Sequence, residues 1–378
     1  MKGGRTMNGI GCRRAFAAAA LAGWAAGAAA APGDAGARRG AAAGAAELPC
    51  PPGVASEAIA AAGGKWTYHV YLPKAYAPAR KWPVLFVMGP MGGTAGTLRR
   101  YTGGAELNGW ILAVSVESRN GFAQSQEAVL AMVQDVTSRL STDPKRRYAT
   151  GFSGGARMAF WLALKEKDFA GVLACGAGGA VEELSSKAAV YGLCGSNCFN
   201  RWDMACSFKG AGKNARLTFF VGNHAWADAE MVTRAMTWLN ASHYGAVGTT
   251  SPASRTAVFL EEKKALMAKI AAQIDACAAA DPERAYEWTL CLARADDAPE
   301  TRARLQAMLQ QPKVLAYAEG LKEMDRFVQK HFATSGGDYA RNNGTKAALK
   351  DATELAAKYK DTSLARIFAK MGEPSVMP

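Results

Sequence analysis

The chain has 378 residues, 49% of them hydrophobic and 20% charged. That supplies one large core with material for a smaller second unit, and it excludes a disordered chain. The net charge of +13 is spread along the chain with no long Lys/Arg run interleaved with aromatics, so no nucleic-acid partner is expected and the excess reads as a solvated basic surface.

At the N-terminus, Lys2, Arg5, Arg13 and Arg14 precede an apolar run over residues 15–31, with small residues near Ala28 and Ala30 that suit a signal peptidase. Residues 1–31 therefore read as an export signal. The segment Cys12-Arg13-Arg14-Ala15-Phe16 is similar to a twin-arginine signal, and a periplasmic or extracellular location is expected. A run so rich in Ala and Gly inserts weakly, so no stable membrane span is expected. Residues 32–64, opening on a stretch rich in Ala and Gly, read as a flexible leader.

From about residue 65 to 245 the chain alternates strand and helix signals. Thr67–Leu72 alternates with period two, while Val84–Met88 and Trp110–Val116 are continuous apolar runs that suit buried parallel strands. Gly96–Leu107 has helical spacing, and Gln124–Leu140 places Val129, Met132, Val133, Val136 and Leu140 on one face. Arg147–Thr150 leads into Gly151, and a helix through Ala156–Lys165 follows. Val172–Cys175, Ala188–Leu193 and Arg216–Val221 are further strands, and Ala229–Leu239 is a closing helix. This alternation predicts an α/β fold, a mainly parallel sheet covered by helices on both faces. Residues 250–378 show amphipathic helices only, at Leu260–Ala278, Glu300–Leu309, Lys313–His331 and Lys346–Tyr359. They form an all-helical extension, either packed on the first domain or presented to a protein partner.

Gly151-Phe152-Ser153-Gly154-Gly155 matches G-x-S-x-G, the nucleophile elbow, in which serine sits on a strained strand-to-helix turn. A chain with 40 glycines meets this pattern by chance readily, so the preceding strand and following helix carry the assignment of Ser153 as nucleophile. An oxyanion hole would then use the backbone N–H of Gly154 and one from the loop Gly89-Pro90-Met91-Gly92-Gly93-Thr94-Ala95. Pro90 has no N–H to offer, which favours Met91. Of the four histidines, His69 lies within a strand, His243 follows the closing helix and His331 lies in the extension. His224 falls after the last strand and before the last helix of the α/β region, where the order Ser…acid…His puts the base.

Residues 143–159 resemble the elbow region of secreted α/β-hydrolase esterases of the polyhydroxyalkanoate-depolymerase and feruloyl-esterase type. The resemblance spans about residues 65–245 and does not reach the helical extension. It implies an α/β-hydrolase fold and a Ser/His/acid site. The loop at Gly89 is similar to the family's H-G-x-G-x-T-A stretch, with Gly89 in place of His and Pro90 in place of Gly. Gly222-Asn223-His224-Ala225-Trp226 matches G-x-H-x-W. Where the family shows G-x-x-D-x-N, this chain has Gly195-Ser196-Asn197-Cys198-Phe199-Asn200, with cysteine in the acid's place. A neutral thiol supplies no charge, so Asp203 is the nearest candidate acid, with Glu182 and Glu183 as weaker ones.

Two functions follow. The first is a serine esterase acting through an acyl-enzyme on a small-molecule or polymer-borne ester, with no metal or organic cofactor. The alternative is a non-catalytic relative that binds a polymer or protein partner, motivated by Cys198. Removal of residues 1–31 would leave seven cysteines, and in an oxidising compartment Cys198–Cys206 and Cys277–Cys291 are the preferred pairs. A zinc site from Cys194, Cys198, Cys206 and His224 matches no compact zinc-knuckle spacing.

Overall fold

The structure, a computed structural model, describes residues 48–184, 188–246, 256–333 and 346–374. The export signal expected over residues 1–31 lies outside them.

Eight strands form one sheet: β1 (Ile59–Ala60), β2 (Thr67–Tyr71), β3 (Trp82–Met88), β4 (Ile111–Ser115), β5 (Thr142–Phe152), β6 (Phe169–Cys175), β7 (Ala189–Gly195) and β8 (Ala215–Phe220). Their order is β1-β2-β4-β3-β5-β6-β7-β8, antiparallel at β1–β2–β4 and parallel elsewhere. This is the α/β-hydrolase arrangement. Every residue of β3, β4 and β7 is buried, which explains why these strands read as unbroken apolar runs rather than alternating ones.

The period of two sorts these side chains between two cores. Leu85 and Val87 of β3 face α1 (Ala95–Asn108) and α5 (Ala229–Ala246), where Leu98, Tyr101, Met236 and Trp238 are buried. Val84, Phe86 and Met88 face α2 (Ser125–Arg139) and α3 (Gly154–Glu166), where Val129, Val136, Phe160 and Leu162 are buried. The chain runs from β3 outward to β4 and then returns to the other side of β3 as β5. The order therefore reverses at the carboxyl ends of β3 and β5, the crevice where such sheets place their ligands.

The helices after residue 256 pack on this body. They are α6 (Ala257–Cys277), α7 (Pro282–Ala295), α8 (Pro299–Leu309), α9 (Pro312–His331), α10 (Lys346–Lys358) and α11 (Leu364–Gly372). Leu266, Ile270, Ile274, Trp288 and Leu292 join the core on the α1/α5 face. From α9–α11, Phe327, Phe332 and Phe368 pack with Cys194, Cys198, Met204 and Phe219 at the β8 edge of the sheet. The division at residues 245–250 thus separates a strand-bearing segment from a helical one without separating their cores. The sequence pattern predicts neither α7 nor α11, although Asp281 caps α7 through Arg284 N–H and Pro282 opens it.

One leader expectation is corrected. Residues 48–64, read as flexible, pack on the sheet: β1 pairs with β2, Cys50 is buried, and Ser56 Oγ accepts the Val70 N–H at 2.9 Å. The large apolar partners are supplied by the sheet, so the segment's own composition understates its order.

Candidate active site

Strand β5 ends at Phe152 and α3 begins at Gly154, leaving Ser153 to make the whole turn at φ 55°, ψ −120°. A residue with a Cβ is strained there by ~1–3 kcal/mol and stays only where its surroundings hold it. Ser153 N–H donates to Cys175 O at 2.8 Å, and Ser153 O accepts from Ala156 N–H at 3.0 Å. The flanking glycines have a steric cause. A Cβ on Gly151 would lie 2.3 Å from Gly155 backbone, and one on Gly155 would lie 2.2 Å from Met88 O.

His224 follows β8, with Nε2 at 2.9 Å from Ser153 Oγ. Its ring packs against Phe199, at a centroid distance of 4.1 Å, and Phe152, at 4.6 Å. Contact with two aromatic rings restricts the imidazole's freedom to turn away from the serine. Trp226 continues the stack, at 5.0 Å from Phe152.

The group facing the other ring nitrogen is Cys198, not Asp203. Cys198 Sγ lies 3.1 Å from His224 Nδ1 and also accepts the Asn200 N–H at 3.4 Å. The expectation that Asp203 serves as the acid is corrected by geometry. Asp203 Oδ2 accepts from Arg157 Nη2 and from Gly178 N–H, each at 2.9 Å. The reason is local: Asp203 stands in the first turn of α4 (Arg201–Phe208), facing α3 and the loop after β6, whereas Cys198 precedes that helix and faces His224. Glu182 and Glu183 are exposed and lie in a short 3₁₀ turn.

The thiol environment is unusual. The neighbouring Cys194 thiol, which itself donates to Gly195 O at 3.5 Å, together with the hydrogen bonds to His224 and Asn200, outweighs burial and draws the Cys198 thiol down to about 5. Burial pushes Cys194 well above the ordinary thiol value and Cys175 up to about 12. The loop carrying Cys198 is fastened on several sides. Ser196 N–H donates to Phe220 O at 2.7 Å and Asn197 N–H to Gly222 O at 2.8 Å. Buried Arg201 reaches Ser196 O at 3.1 Å and, from the end of the helical extension, Glu373 O at 3.1 Å.

The preferred disulfides are also corrected, since no disulfide joins the described cysteines. Cys198 faces His224 while Cys206 Sγ lies against Phe332 O at 3.8 Å. Cys277 donates within its own helix to Gln273 O, and Cys291 to Arg234 O. Among the described residues no group of three or more His, Cys, Asp or Glu is arranged to hold a metal ion. No helix among them is long and apolar enough to cross a membrane.

Gly154 is the first residue of α3, so its N–H has no carbonyl one turn back to meet. The Gly89–Gly93 loop abuts the elbow, for a Cβ on Gly155 would come 3.0 Å from Gly89 N. Met91 stands opposite Arg119 in an isolated bridge, with Asn120 N–H donating to Pro90 O at 2.8 Å beside it. Beyond this loop a cavity of about 520 Å³ is lined by Met91, Thr97, Arg99, Arg100 and Trp226. The remaining histidines are engaged elsewhere: His69 Nδ1 contacts Ser56 O, burial pushes His243 down to about 3, and His331 pairs with Asp351.

Sequence reasoning missed three contributors. Phe199 carries no motif that announces its packing on His224. Asn120, whose Oδ1 lies where a Gly154 Cβ would be, sits in a loop distant in sequence. The signal for Cys198 is its place in the G-x-x-D-x-N pattern, where sequence alone shows only a carboxylate replaced.

No family model matches the chain, and no curated protein matches it. Among solved structures it is similar to a fluorophosphonate-binding serine hydrolase of Staphylococcus aureus, with 14% identity, TM-score 0.42, and coverage of 50% of this chain and 99% of that one. It is similar to an S-formylglutathione hydrolase of the same organism, with 14% identity, TM-score 0.41, and coverage of 51% and 100%. A feruloyl esterase module from Clostridium thermocellum gives 17% identity, TM-score 0.38, and coverage of 50% and 89%.

Proposed function

We propose that this protein is a serine-dependent carboxylic ester hydrolase. The observation that carries the reading is Ser153 at φ 55° on the strand-to-helix turn with its Oγ 2.9 Å from His224 Nε2. A serine hydroxyl is a weak nucleophile until a base within hydrogen-bond reach takes its proton. In this reading Ser153 Oγ attacks the ester carbonyl as its proton passes to Nε2. The N–H groups of Gly154 and Met91 receive the developing oxyanion. His224 returns the proton to the leaving alcohol, and water then releases the acid by the same route in reverse order of partners.

The cavity beyond the Met91 loop, which neither Ser153 nor His224 lines, adjoins the elbow through Gly89 and Met91 and supports a small-molecule or polymer-borne ester. Its size of about 520 Å³ falls within the range for small-molecule sites. Export is part of the proposal and is supported by the charge and apolar pattern of residues 1–31.

The test is labelling of the purified protein with a fluorophosphonate probe beside Ser153→Ala and His224→Ala. Labelling of the wild type that vanishes in both variants is the expected result. Well-folded wild type that takes no label would overturn the reading and favour a non-catalytic binding role.

A further inference from the structure

We infer that Cys198, as a thiolate, is the positioning residue of this site, holding His224 with its proton on Nδ1 and supplying the negative charge for which the fold ordinarily uses a carboxylate. The inference takes the ester-hydrolase reading as its premise.

Tautomer chemistry makes the argument. For His224 to take the Ser153 proton, Nε2 must present a lone pair toward Oγ, 2.9 Å away. A neutral imidazole with a bare Nε2 carries its proton on Nδ1, and that N–H needs an acceptor. The atom placed there is Cys198 Sγ, at 3.1 Å. A protonated thiol donating to Nδ1 would move the ring proton to Nε2, which would then donate to Oγ and block proton removal. A neutral thiol sulfur accepts only weakly, whereas the thiolate accepts strongly from Nδ1, holds that tautomer and leaves Nε2 free.

The surroundings suit an anion at that sulfur. Asn200 N–H points at Sγ at 3.4 Å, and a backbone donor favours the charged form. Four groups that titrate or carry charge interact with Cys198 from the elements around it. Cys194 comes from β7, Cys175 from the end of β6, His224 from the loop after β8 and Arg201 from the start of α4. Of these, Cys194 and Cys175 are held protonated by burial, and Arg201 is a buried cation fastened at Ser196 O and Asn197 Oδ1. Asp203 is occupied by Arg157 and Gly178 N–H and does not compete for His224.

The proton count closes. As the Oγ–carbon bond forms, the Ser153 O–H proton moves to Nε2 and the ring becomes imidazolium. The Nδ1 proton stays between nitrogen and sulfur, and the thiolate faces the new positive charge. On collapse the Nε2 proton leaves with the alkoxide, and the sulfur keeps its charge throughout.

The experiment compares the full-length wild type with Cys198→Ser, Cys198→Ala and Cys198→Asp, following thiolate ultraviolet absorbance against pH and turnover of a chromogenic ester. The wild type minus Cys198→Ser spectrum is expected to show one thiolate that persists down to about pH 5. Turnover is expected to fall about 10⁴-fold in the Ser and Ala variants, the loss seen when the third member of such a triad loses its charge. Cys198→Asp, which restores an anion, is expected to recover most of the turnover lost in the Ser and Ala variants. A thiolate that appears only above about pH 8, as in an ordinary cysteine, would overturn the inference whether or not the variants fold. So would a Cys198→Ser enzyme as fast as the wild type. A wild type with the low-pH thiolate but no fluorophosphonate labelling would overturn the hydrolase reading while confirming the charge on Cys198.

Discussion

Glu287 of α7 offers the sharpest test of how the helical extension is joined to the sheet. Its carboxylate is buried and accepts both contacts of Arg216 Nη2 from β8, at 2.9 and 2.7 Å. Tyr317 OH donates to it at 3.1 Å, and Arg234 Nε of α5 lies 3.8 Å away. Glu287→Gln keeps the shape and removes the charge, leaving two largely buried guanidiniums to face an amide. At an effective dielectric near 20, one pair of unit charges about 4 Å apart is worth about 4 kcal/mol. Removing one partner from a buried pair costs about 3–5 kcal/mol by direct measurement in other systems, so both routes agree. The expected loss is therefore about 3–5 kcal/mol, read from the shift of a guanidinium-chloride unfolding curve at unchanged slope. A loss below about 1 kcal/mol would refute the argument, because it would mean the arginines find other partners and the extension is not electrostatically locked to β8.

The same cluster sets an acid limit. Burial alone would raise Glu287, but Arg216 and Arg234 outweigh it and hold the carboxyl below its usual range. A depressed carboxylate stabilises the fold above its unfolded-state value, about 4.3, and that contribution is lost as pH falls through the lower folded-state value. Unfolding curves of the wild type should therefore lose more stability below about pH 4 than those of Glu287→Gln; parallel losses would contradict the assignment. At the elbow, Gly155→Ala drives a Cβ to 2.2 Å from Met88 O, a backbone atom that cannot swing aside. It is expected to cost more than about 1–3 kcal/mol and to abolish Ser153 labelling, and a variant of wild-type stability and reactivity would show that the turn relaxes freely. Phe199→Ala removes one wall of the His224 ring, 4.1 Å away. Turnover is expected to fall about tenfold or more through looser positioning, as for small misplacements of catalytic groups, with little change in ester binding. A change confined to KM would place Phe199 in the binding surface instead.

Much of this molecule is legible in local sequence because the causes are local. Unbroken apolar runs at Val84–Met88 and Trp110–Val116 mark strands buried on both faces, and the structure has β3 and β4 there. The glycines around Ser153 announce a turn that no bulkier residue fits, and His224 lies where the strand–helix order ends. Other features depend on groups far apart in the chain. Residues 48–64 look featureless until the sheet supplies their partners. Glu287 looks like a surface acid until β8 and α5 bring Arg216 and Arg234 to it. Asp203 looks like the nearest available acid, yet the start of α4 directs it to Arg157. By sequence alone, cysteine at position 198 is a missing carboxylate. Only the tertiary structure, by setting His224 Nδ1 and the Asn200 N–H around one buried sulfur, decides that this atom is placed to accept the Nδ1 hydrogen bond that a carboxylate would otherwise accept. Composition and periodicity settle which segments are buried, because burial follows from each side chain's own chemistry. Protonation and pairing come from the assembled neighbours, because a charge's energy depends on what surrounds it.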